Sequence, residues 1–247
     1  EEVPIPQIKP GEVLIRVAYC GVSGTDLEIF QGTLAAPRND AARYPVVPGH
    51  EFSGRVMDFG PNTEHLKEGD AVAVESVQVC GSCTQCRRSN WNNCQERAEL
   101  GVMGKNGGYS QYIVVPSRFV HRLPPDLDLR KATLCEPLAV ILKGLNRLSH
   151  HWPAEPEFKR CAVVGAGSLG HLCARVLASR GHRVTVFDRD PLRRSYFDGS
   201  EIEVSDDLTR LDEFDLLIEL TGDPEALDTM LNESAAGATI LLLGLPY

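Results

Sequence analysis

Four cysteines lie within residues 80–94 at a spacing typical of a metal site. Cys80, Cys83, Cys86 and Cys94 are separated by two, two and seven residues, and small or polar residues stand between the first three. Four thiolates at this spacing suit tetrahedral Zn²⁺, and a closed all-sulfur shell leaves no open position for a substrate. The array therefore predicts a structural zinc lobe. An iron–sulfur cluster is the chemical alternative, because sets of four cysteines also hold clusters.

A glycine-rich stretch, GAGSLG, follows a predicted buried strand and opens a predicted helix. In that context the first glycine permits a tight turn, the second lets the backbone approach a pyrophosphate, and the third allows the helix to pack closely on the strand. The helix N-terminus then offers unpaired N–H groups to phosphate. The stretch predicts a dinucleotide site, and a tight strand–helix corner without ligand is the alternative. The predicted cofactor residues of this corner are Gly165, Gly167, Ser168, Leu169 and Gly170.

Asp188 ends the next predicted strand, where a carboxylate can accept hydrogen bonds from both hydroxyls of an adenine ribose. That position favours NAD over NADP, because a carboxylate would repel the 2′-phosphate of NADP. The neighbouring Arg189 could pair with such a phosphate, so NADP stays open as the alternative. Thr221 and Gly222 complete the predicted set of cofactor residues.

Two fragments of the first half carry polar groups that strand formation does not require. They are GVSGTD at residues 21–26 and PGHEFSG at residues 48–54. The adjacent His50 and Glu51 can both reach one metal ion, and such an N/O pair suits a zinc that keeps an open position. Taken alone, the pair is also compatible with a solvated surface.

Length and charge restrict the classes of function. A chain of 247 residues is long enough for two domains, and its net charge of -9 with a pI near 5.3 repels nucleic acid and anionic membranes. The longest apolar run, residues 238–243, is far shorter than the roughly 20 residues that span a bilayer. No secretory signal opens the chain, and the clustered cysteines suggest a reducing, cytoplasmic location. Because it begins at Glu1 and not at Met, we expect its natural start to be absent.

The predicted elements change in kind near residue 132. Upstream, β-branched runs separated by Gly or Pro predict strands without long helices, and hence a small barrel or a strongly bent sheet. Downstream, helical spacing over residues 132–148 and a surface connection over residues 152–158 precede alternating strands and helices. That alternation predicts a parallel doubly wound sheet with helices on both faces. The predicted strands are 13–17, 52–56, 71–74, 112–115, 161–164, 183–187, 215–219 and 238–243, and the later helices are 169–179 and 224–234.

Taken in order, GVSGTD, PGHEFSG, the cysteine lobe, GGYSQYIVVP, CEPLAV and GAGSLG resemble the zinc-dependent medium-chain dehydrogenases of the alcohol dehydrogenase superfamily. The branch of sorbitol, threonine and sugar dehydrogenases is the most similar. The resemblance implies an α/β fold: a GroES-like, β-rich catalytic domain over residues 1–140 and a Rossmann NAD(P)-binding domain over residues 141–247, with the active site between them. Relative to the family, we expect the chain to be truncated at both ends or to be a shortened relative, since the family's first strand and the segment that would follow Tyr247 are not present.

The same resemblance implies hydride transfer from a secondary alcohol, of polyol, sugar or amino-alcohol type, to NAD. A catalytic Zn²⁺ would act as a Lewis acid on the alcohol. By motif, His50, Glu51 and Glu136 fall on metal-ligand positions, Thr25 on the hydroxyl that takes the substrate's proton, and Asp26 on a supporting carboxylate. Relatives are dimers or tetramers, so we expect a homo-oligomer with a small-molecule substrate and neither nucleic acid nor membrane as partner.

Two positions depart from the family pattern. The usual first ligand of the catalytic zinc is a cysteine, and here it is Ser23, a much poorer ligand. A nucleotide-binding paralogue without alcohol dehydrogenase chemistry is therefore the main alternative. Cys20 belongs to the preceding strand and is expected to be a core residue. Glu28 replaces a histidine that takes part in proton release in many relatives, and a carboxyl of ordinary pKa near 4.3 is a weak base for that task.

Two further alternatives are less favoured. Zinc-independent reductases commonly lack both the cysteine lobe and the His-Glu pair. A nucleic-acid-binding zinc module conflicts with the acidic charge balance and with the lack of interleaved aromatic and basic residues around the cysteines.

Overall fold

The computed structural model of the protein describes residues 2–34, 44–63, 65–148 and 159–244. The predicted surface connection over residues 152–158 lies outside these described residues. The chain divides into two compact units, Glu1–Glu136 and Pro137–Tyr247. None of the helices in the described part of the chain has the length and apolarity needed to span a bilayer.

The first unit is built on two small sheets. A five-stranded antiparallel sheet has the order β7-β1-β2-β3-β8, and a separate three-stranded sheet has the order β4-β5-β6. Alternation along β1 buries Val13 and Ile15 completely, which places them in the core of this unit with apolar residues from β2, β3 and β7. The strands are β1 (Glu12–Cys20), β2 (Phe52–Phe59), β3 (Ala71–Val74), β4 (Val77–Gln78), β5 (Ala98–Leu100), β6 (Gly104–Lys105), β7 (Tyr112–Pro116) and β8 (Val120–Arg122).

Three short helices and two 3₁₀ turns complete this unit. The helix α1 carries two of the predicted site residues, but the apolar pattern did not predict it, because Leu27 and Phe30 are exposed and only Asp26 and Ile29 are buried. Its ends are set locally by a capping box at Ser23 and by a left-handed Gly32. The helices are α1 (Gly24–Gln31), α2 (Thr84–Arg87) and α3 (Leu129–Ala132), and the 3₁₀ turns are Trp91–Asn93 and Ser117–Phe119.

The second unit is a parallel five-stranded sheet of order β11-β10-β9-β12-β13. Its elements follow the predicted alternation of strands and helices. The helix α6 and the strand β11 were not predicted, because each is very short and largely exposed. The elements are α4 (Cys135–Leu148), β9 (Arg160–Val164), α5 (Ser168–Ser179), β10 (Arg183–Phe187), α6 (Pro191–Ser195), β11 (Glu203–Ser205), a 3₁₀ turn (Leu208–Glu213), β12 (Leu216–Glu219), α7 (Pro224–Glu233) and β13 (Thr239–Leu242).

Both faces of this sheet are covered, as predicted. Along β9, Cys161 and Val163 face a core shared with α4 and α5, while Ala162 and Val164 face a second core that includes Met230 of α7. A strand buried on both faces needs apolar residues at every position, which explains its unbroken run of small and branched side chains. These observations confirm the α/β prediction of a β-rich GroES-like unit followed by a doubly wound parallel sheet.

Candidate active site

The four predicted cysteine ligands converge in the first unit. Their sulfur atoms all lie within 4.8 Å of one another, and the Sγ atom of Cys80 is 3.9 Å from that of Cys86 and 3.7 Å from that of Cys94. A zinc tetrahedron with Zn–S bonds of about 2.3 Å places its sulfurs about 3.8 Å apart. All eight cysteines of the chain are free thiols. The two printed contacts are close to this value, so the cysteine lobe suits a tetrahedral zinc ion.

Backbone amides donate hydrogen bonds to two of the sulfur atoms in the cysteine lobe. The Sγ atom of Cys80 accepts a hydrogen bond from the amide of Cys83 at 3.3 Å, and the Sγ atom of Cys83 accepts one from the amide of Cys86 at 3.4 Å, which also caps α2. Hydrogen bonds from Ser82 and Cys83 lower the pKa of the Cys80 thiol to about 6. Such bonds favour the thiolate, the form that binds metal.

A second convergent group joins His50, Glu51 and Glu136. One ring nitrogen and one oxygen from each carboxylate lie within 4.8 Å of one another. His50 and Glu51 directly precede β2, and Glu136 lies in the first turn of α4. The hydroxyl of Ser76 donates a hydrogen bond to Oε1 of Glu136 at 3.0 Å and restrains that carboxylate. One imidazole and two carboxylates form a donor set suited to a divalent cation.

The electrostatics of this group favour a bound cation. Burial raises the pKa of Glu51, the ring of His50 opposes this, and the charges of Glu136 and Asp26 raise it further. Burial likewise raises the pKa of Glu136. Burial alone would lower the pKa of His50, but Asp26 and then the two glutamates outweigh it and raise that pKa. A divalent ion would relieve the repulsion between these half-buried carboxylates.

The Nδ1 atom of His50 faces the carboxylate of Asp26. It is buried, and within the described ranges it has no hydrogen-bond partner. The nearest carboxylate oxygen, Oδ1 of Asp26, lies 3.6 Å away, which is an ion-pair distance but longer than a hydrogen bond. Asp26 therefore acts on this ring nitrogen through its charge and not through a hydrogen bond.

Asp26 connects α1 to the segment that carries His50. It is buried, its Oδ1 accepts the amide of Gly49 at 3.0 Å, and its Oδ2 accepts the amide of Ser23 at 2.9 Å and the hydroxyl of Tyr109 at 3.1 Å. Burial tends to raise the pKa of this carboxyl, but His50 and these backbone amides outweigh it and hold the pKa well below its ordinary value. Asp26 therefore stays ionised and orients its neighbours.

The Ser23 side chain caps a helix. Its hydroxyl accepts the amide of Asp26 at 3.2 Å and donates to Oδ2 of the same residue at 3.0 Å, which forms one half of the capping box of α1. Both hydrogen-bonding roles of the hydroxyl are thus used within the helix turn. The half-buried Thr25 follows two residues later, in the first turn.

The glycine corner of the second unit has the geometry its sequence predicts. Gly165 has a φ of 108°, a left-handed conformation that side chains disfavour. A Cβ atom at Gly170 would collide with the carbonyl oxygen of Gly165, so the helix can approach the strand only with glycine there. A Cβ at Gly167 would meet no heavy atom within 4 Å, which leaves the backbone open to a ligand. The helix α5 begins at Ser168, and Leu169 packs against the core.

A cavity of about 360 Å³ lies beside this corner. Five of the predicted cofactor residues line it, while Ser168, Leu169, Gly170 and Gly222 do not. The five lining residues are Gly165, Gly167, Asp188, Arg189 and Thr221.

The carboxylate of Asp188 is largely engaged by the backbone. Its Oδ2 accepts the amide of Ala166 at 2.7 Å, and its Oδ1 accepts the amide of Asp190 at 2.8 Å. Two arginines also border the cavity: Arg193 lies 3.8 Å from Asp188, and the highly exposed Arg189 lies 3.7 Å from Asp223. Asp188 thus holds the glycine loop as well as facing the cavity, and the cavity wall carries charge of both signs.

Three residues of these sites were not predicted from the sequence. Tyr109 lies in the GGYSQYIVVP segment, and the single proton of its hydroxyl is within reach of two acceptors, Oδ2 of Asp26 at 3.1 Å and the carbonyl oxygen of Gly21 at 3.0 Å. Ser76 carries no sequence signal for its contact with Glu136. Glu219 ends β12 as a buried carboxylate, and an acidic residue after a run of buried apolar positions was a signal that could have identified it.

The structure also shows the surroundings of Cys20 and Glu28. Cys20 packs against the core of the five-stranded sheet, and burial raises the pKa of its thiol to about 12. The Oε2 atom of Glu28 is buried and finds no hydrogen-bond partner among the described residues, so its carboxylate is not a freely solvated one.

Comparison with known proteins gives a consistent result. The family model of the alcohol dehydrogenase GroES-like domain matches residues 9–125. The chain is 33% identical over 260 residues to an L-threonine 3-dehydrogenase of Streptomyces avermitilis, which covers 99% of this chain and 73% of that protein. Two solved structures resemble it in fold and sequence. One, from Sinorhizobium meliloti 1021, is described as a zinc-binding dehydrogenase bound to NADP (TM-score 0.87, 26% identity, 98% of this chain and 72% of that one). The other is galactitol-1-phosphate dehydrogenase from Escherichia coli (TM-score 0.84, 28% identity, 99% and 71%).

Proposed function

The chain belongs to the zinc-dependent medium-chain dehydrogenases of the alcohol dehydrogenase superfamily, and on this premise we propose that it oxidises a secondary alcohol by hydride transfer to NAD. The substrate class is a polyol, sugar or amino alcohol. Similar proteins act on L-threonine and galactitol 1-phosphate by name, which supports this range.

The observation that carries the proposal is the convergence of His50, Glu51 and Glu136. Zinc held by these residues would act as a Lewis acid on the substrate hydroxyl. Ser76 holds Glu136 by its 3.0 Å hydrogen bond, and Asp26 restrains His50 from 3.6 Å. Groups fixed in this way reorganise little during reaction.

The proton of the alcohol leaves separately from the hydride. We assign Thr25 to accept it, because Thr25 matches the relay hydroxyl of the family by motif and lies in the first turn of α1. A hydroxyl can accept one proton while donating its own onward, so it suits a relay better than it suits storage of charge.

The cofactor site proposed for the second unit is the cavity beside Gly165 and Gly167. Its preference for NAD is supported by the carboxylate of Asp188, which would repel a 2′-phosphate. Arg189 and Arg193 on the same wall support NADP as the alternative cofactor. The zinc of the cysteine lobe is proposed to be structural, because four sulfurs close its coordination shell.

One observation favours a second function. The Ser23 hydroxyl is used as a helix cap, so the usual thiolate ligand has no substitute at that position. A paralogue that binds the nucleotide without oxidising alcohols would share the fold, the cysteine lobe and the glycine corner. It would differ in lacking a second metal ion.

An activity screen separates the two functions. NADH formation is measured with purified protein loaded with zinc, using L-threonine, sorbitol, galactitol 1-phosphate and butane-2,3-diol as substrates. A Glu51→Gln variant tests the metal group, and Glu68→Gln, an exposed glutamate of the same unit, is the matched control. The dehydrogenase proposal expects turnover of at least one alcohol, lost in Glu51→Gln and kept in the control. NADH binding without turnover of any alcohol would favour the nucleotide-binding paralogue.

Location and assembly form the last part of the proposal. Eight cysteines without a disulfide, four of them proposed to bind zinc, fit a reducing compartment, which supports a cytoplasmic protein. A homo-oligomer of two or four chains is proposed from the family alone, with a small alcohol as the ligand and with neither nucleic acid nor membrane as partner.

A further inference from the structure

Glu219 is a buried carboxylate at the edge of the sheet where doubly wound folds bind their ligands. It is the last residue of β12, only 2% exposed, and its register partners are Val164 on β9 and Leu242 on β13. The next amide, that of Leu220, donates to the carbonyl of Val164 at 2.9 Å. Glu219 therefore lies at the carboxyl end of the parallel strands, opposite the residue of β9 that directly precedes Gly165.

One oxygen of this carboxylate organises the following turn. Oε1 accepts hydrogen bonds from the amide of Thr221 at 2.6 Å, the hydroxyl of Thr221 at 2.5 Å and the amide of Gly222 at 3.0 Å. The Thr221 oxygen in turn accepts the amide of Asp223 at 2.9 Å, and Asp223 caps α7. Three donors on one oxygen fix both the backbone of the turn and the rotamer of Thr221.

The turn has little room to adopt another shape. The methyl group of Thr221 would lie 3.0 Å from a Cβ atom built at Gly165. On the other side, a Cβ at Gly244 would collide with Oε2 of Glu219 and lie 2.5 Å from the amide nitrogen of Gly222. Residues 220–222 are thus packed between the glycine corner and the end of β13.

The burial of the Glu219 carboxylate is unfavourable in free energy. Within the described ranges, Glu219 forms no ion pair with a lysine, arginine or histidine, so its charge is offset only by the donors of its own turn. Burying a carboxylate removes its hydration, a loss that an apolar residue at this position would not incur. The charge therefore needs a reason beyond core formation.

The position of Thr221 supplies that reason, because it lines the cofactor cavity together with Gly165 and Asp188. We propose that Glu219 is a positioning residue for the dinucleotide: its carboxylate holds residues 220–222 in the one shape that presents Thr221 to the cofactor. This inference rests on the proposed function in one respect, namely that the ligand of the cavity is NAD or NADP. A wall that is already ordered loses little entropy when the cofactor binds.

The test compares Glu219→Gln with wild type in binding of NADH, followed by the fluorescence of the reduced nicotinamide. Glutamine keeps the shape and one acceptor oxygen but replaces charge-assisted hydrogen bonds with neutral ones, which are about half as strong. We expect the Kd for NADH to rise about fivefold to tenfold. Glu233→Gln, which removes an exposed glutamate charge at the end of α7, is the matched control and should bind as wild type does.

A second readout separates positioning from general stability. Amide hydrogen exchange at Thr221 and Gly222 should be faster in Glu219→Gln, while exchange in β9 and β10 stays at the wild-type rate. Thr221→Val removes one of the three donors and should raise the Kd for NADH by about threefold. If Glu219→Gln does not fold, Thr221→Val decides: an unchanged Kd overturns the inference.

The outcomes also distinguish this inference from the proposed function. If wild-type protein binds neither NADH nor NADPH, the proposed function fails and the inference with it. If wild type binds NADH and Glu219→Gln binds it equally well, only the inference is overturned. Weaker binding accompanied by uniformly faster exchange throughout the second unit would mean a purely structural residue, and would also overturn it.

Discussion

Replacing Ser23 by alanine tests whether this position belongs to the metal group or to the helix. In the structure the hydroxyl accepts the amide of Asp26 at 3.2 Å and donates to its carboxylate at 3.0 Å. Alanine removes both bonds. The carboxylate of Asp26 keeps its bonds to the amides of Ser23 and Gly49 and to Tyr109, so the orientation of the neighbouring site should survive.

The expected loss of stability in Ser23→Ala follows from the loss of the N-cap hydrogen bond. Loss of an N-cap hydroxyl costs about 1 kcal/mol, within a range of about 0.5 to 2 kcal/mol. The value should fall in the middle of the range, because the reciprocal half of the capping box, from Asp26 to the Ser23 amide, is retained. We therefore expect the free energy of unfolding of Ser23→Ala to be lower than that of wild type by about 1 kcal/mol.

Two assays on the same protein check this expectation. Urea unfolding of zinc-loaded wild type and variant gives the stability difference, and elemental analysis gives the zinc content per chain. We expect Ser23→Ala to be less stable than wild type and to contain the same number of zinc ions per chain. If Ser23→Ala keeps its stability and loses one zinc ion per chain, the hydroxyl is a ligand and the capping argument is wrong. Ser23→Cys provides the complementary case, since a thiol in the cap position should raise metal affinity while it weakens the cap.

Three further predictions address the other sites. Cys86→Ser should release the zinc of the cysteine lobe and lower the thermal midpoint of unfolding, as measured by elemental analysis and calorimetry; full zinc retention would contradict four-sulfur coordination. Asp188→Ser should shift the ratio of Kd values for NADPH and NADH toward NADPH by about tenfold, because a like charge near the 2′-phosphate is removed; an unchanged ratio would show that Asp188 serves only the glycine loop. Burial and then Arg175 lower the pKa of His171 below its usual 6.5, so its contribution to stability is present above that pH and is lost as the pH falls toward the folded value. His171→Phe, which preserves the stack on Phe197, should lose less stability than wild type between about pH 7.5 and about pH 5.5 in urea unfolding; equal losses would refute the assignment.

Sites formed by residues close in sequence could be predicted from the sequence. The cysteine lobe and the glycine corner are each folded within one loop, so spacing alone fixes which atoms can meet. The strands β3 and β10 matched their predicted bounds for a related reason, because β-branched runs between turn residues have few other ways to be buried.

Contacts between distant segments could not be predicted in this way. Nothing in the local pattern brings Glu136 to His50 and Glu51, and only the family resemblance placed it there. Ser76 lies between these segments in sequence, and its contact with Glu136 depends on how α4 begins. The helix α1 was missed because its stability comes from its two caps, with little apolar periodicity. The Ser-x-x-Asp spacing at Ser23 was nevertheless a visible capping signal.

Zinc content per chain, measured by elemental analysis on wild type and on Glu51→Gln, decides whether His50, Glu51 and Glu136 bind a metal ion. We expect two zinc ions in the wild type, one in the cysteine lobe and one held by His50, Glu51 and Glu136, and only the lobe's zinc in the variant. A single zinc ion in both proteins would refute the proposed zinc-dependent oxidation, because the imidazole and the two carboxylates would then hold no metal with which to activate an alcohol.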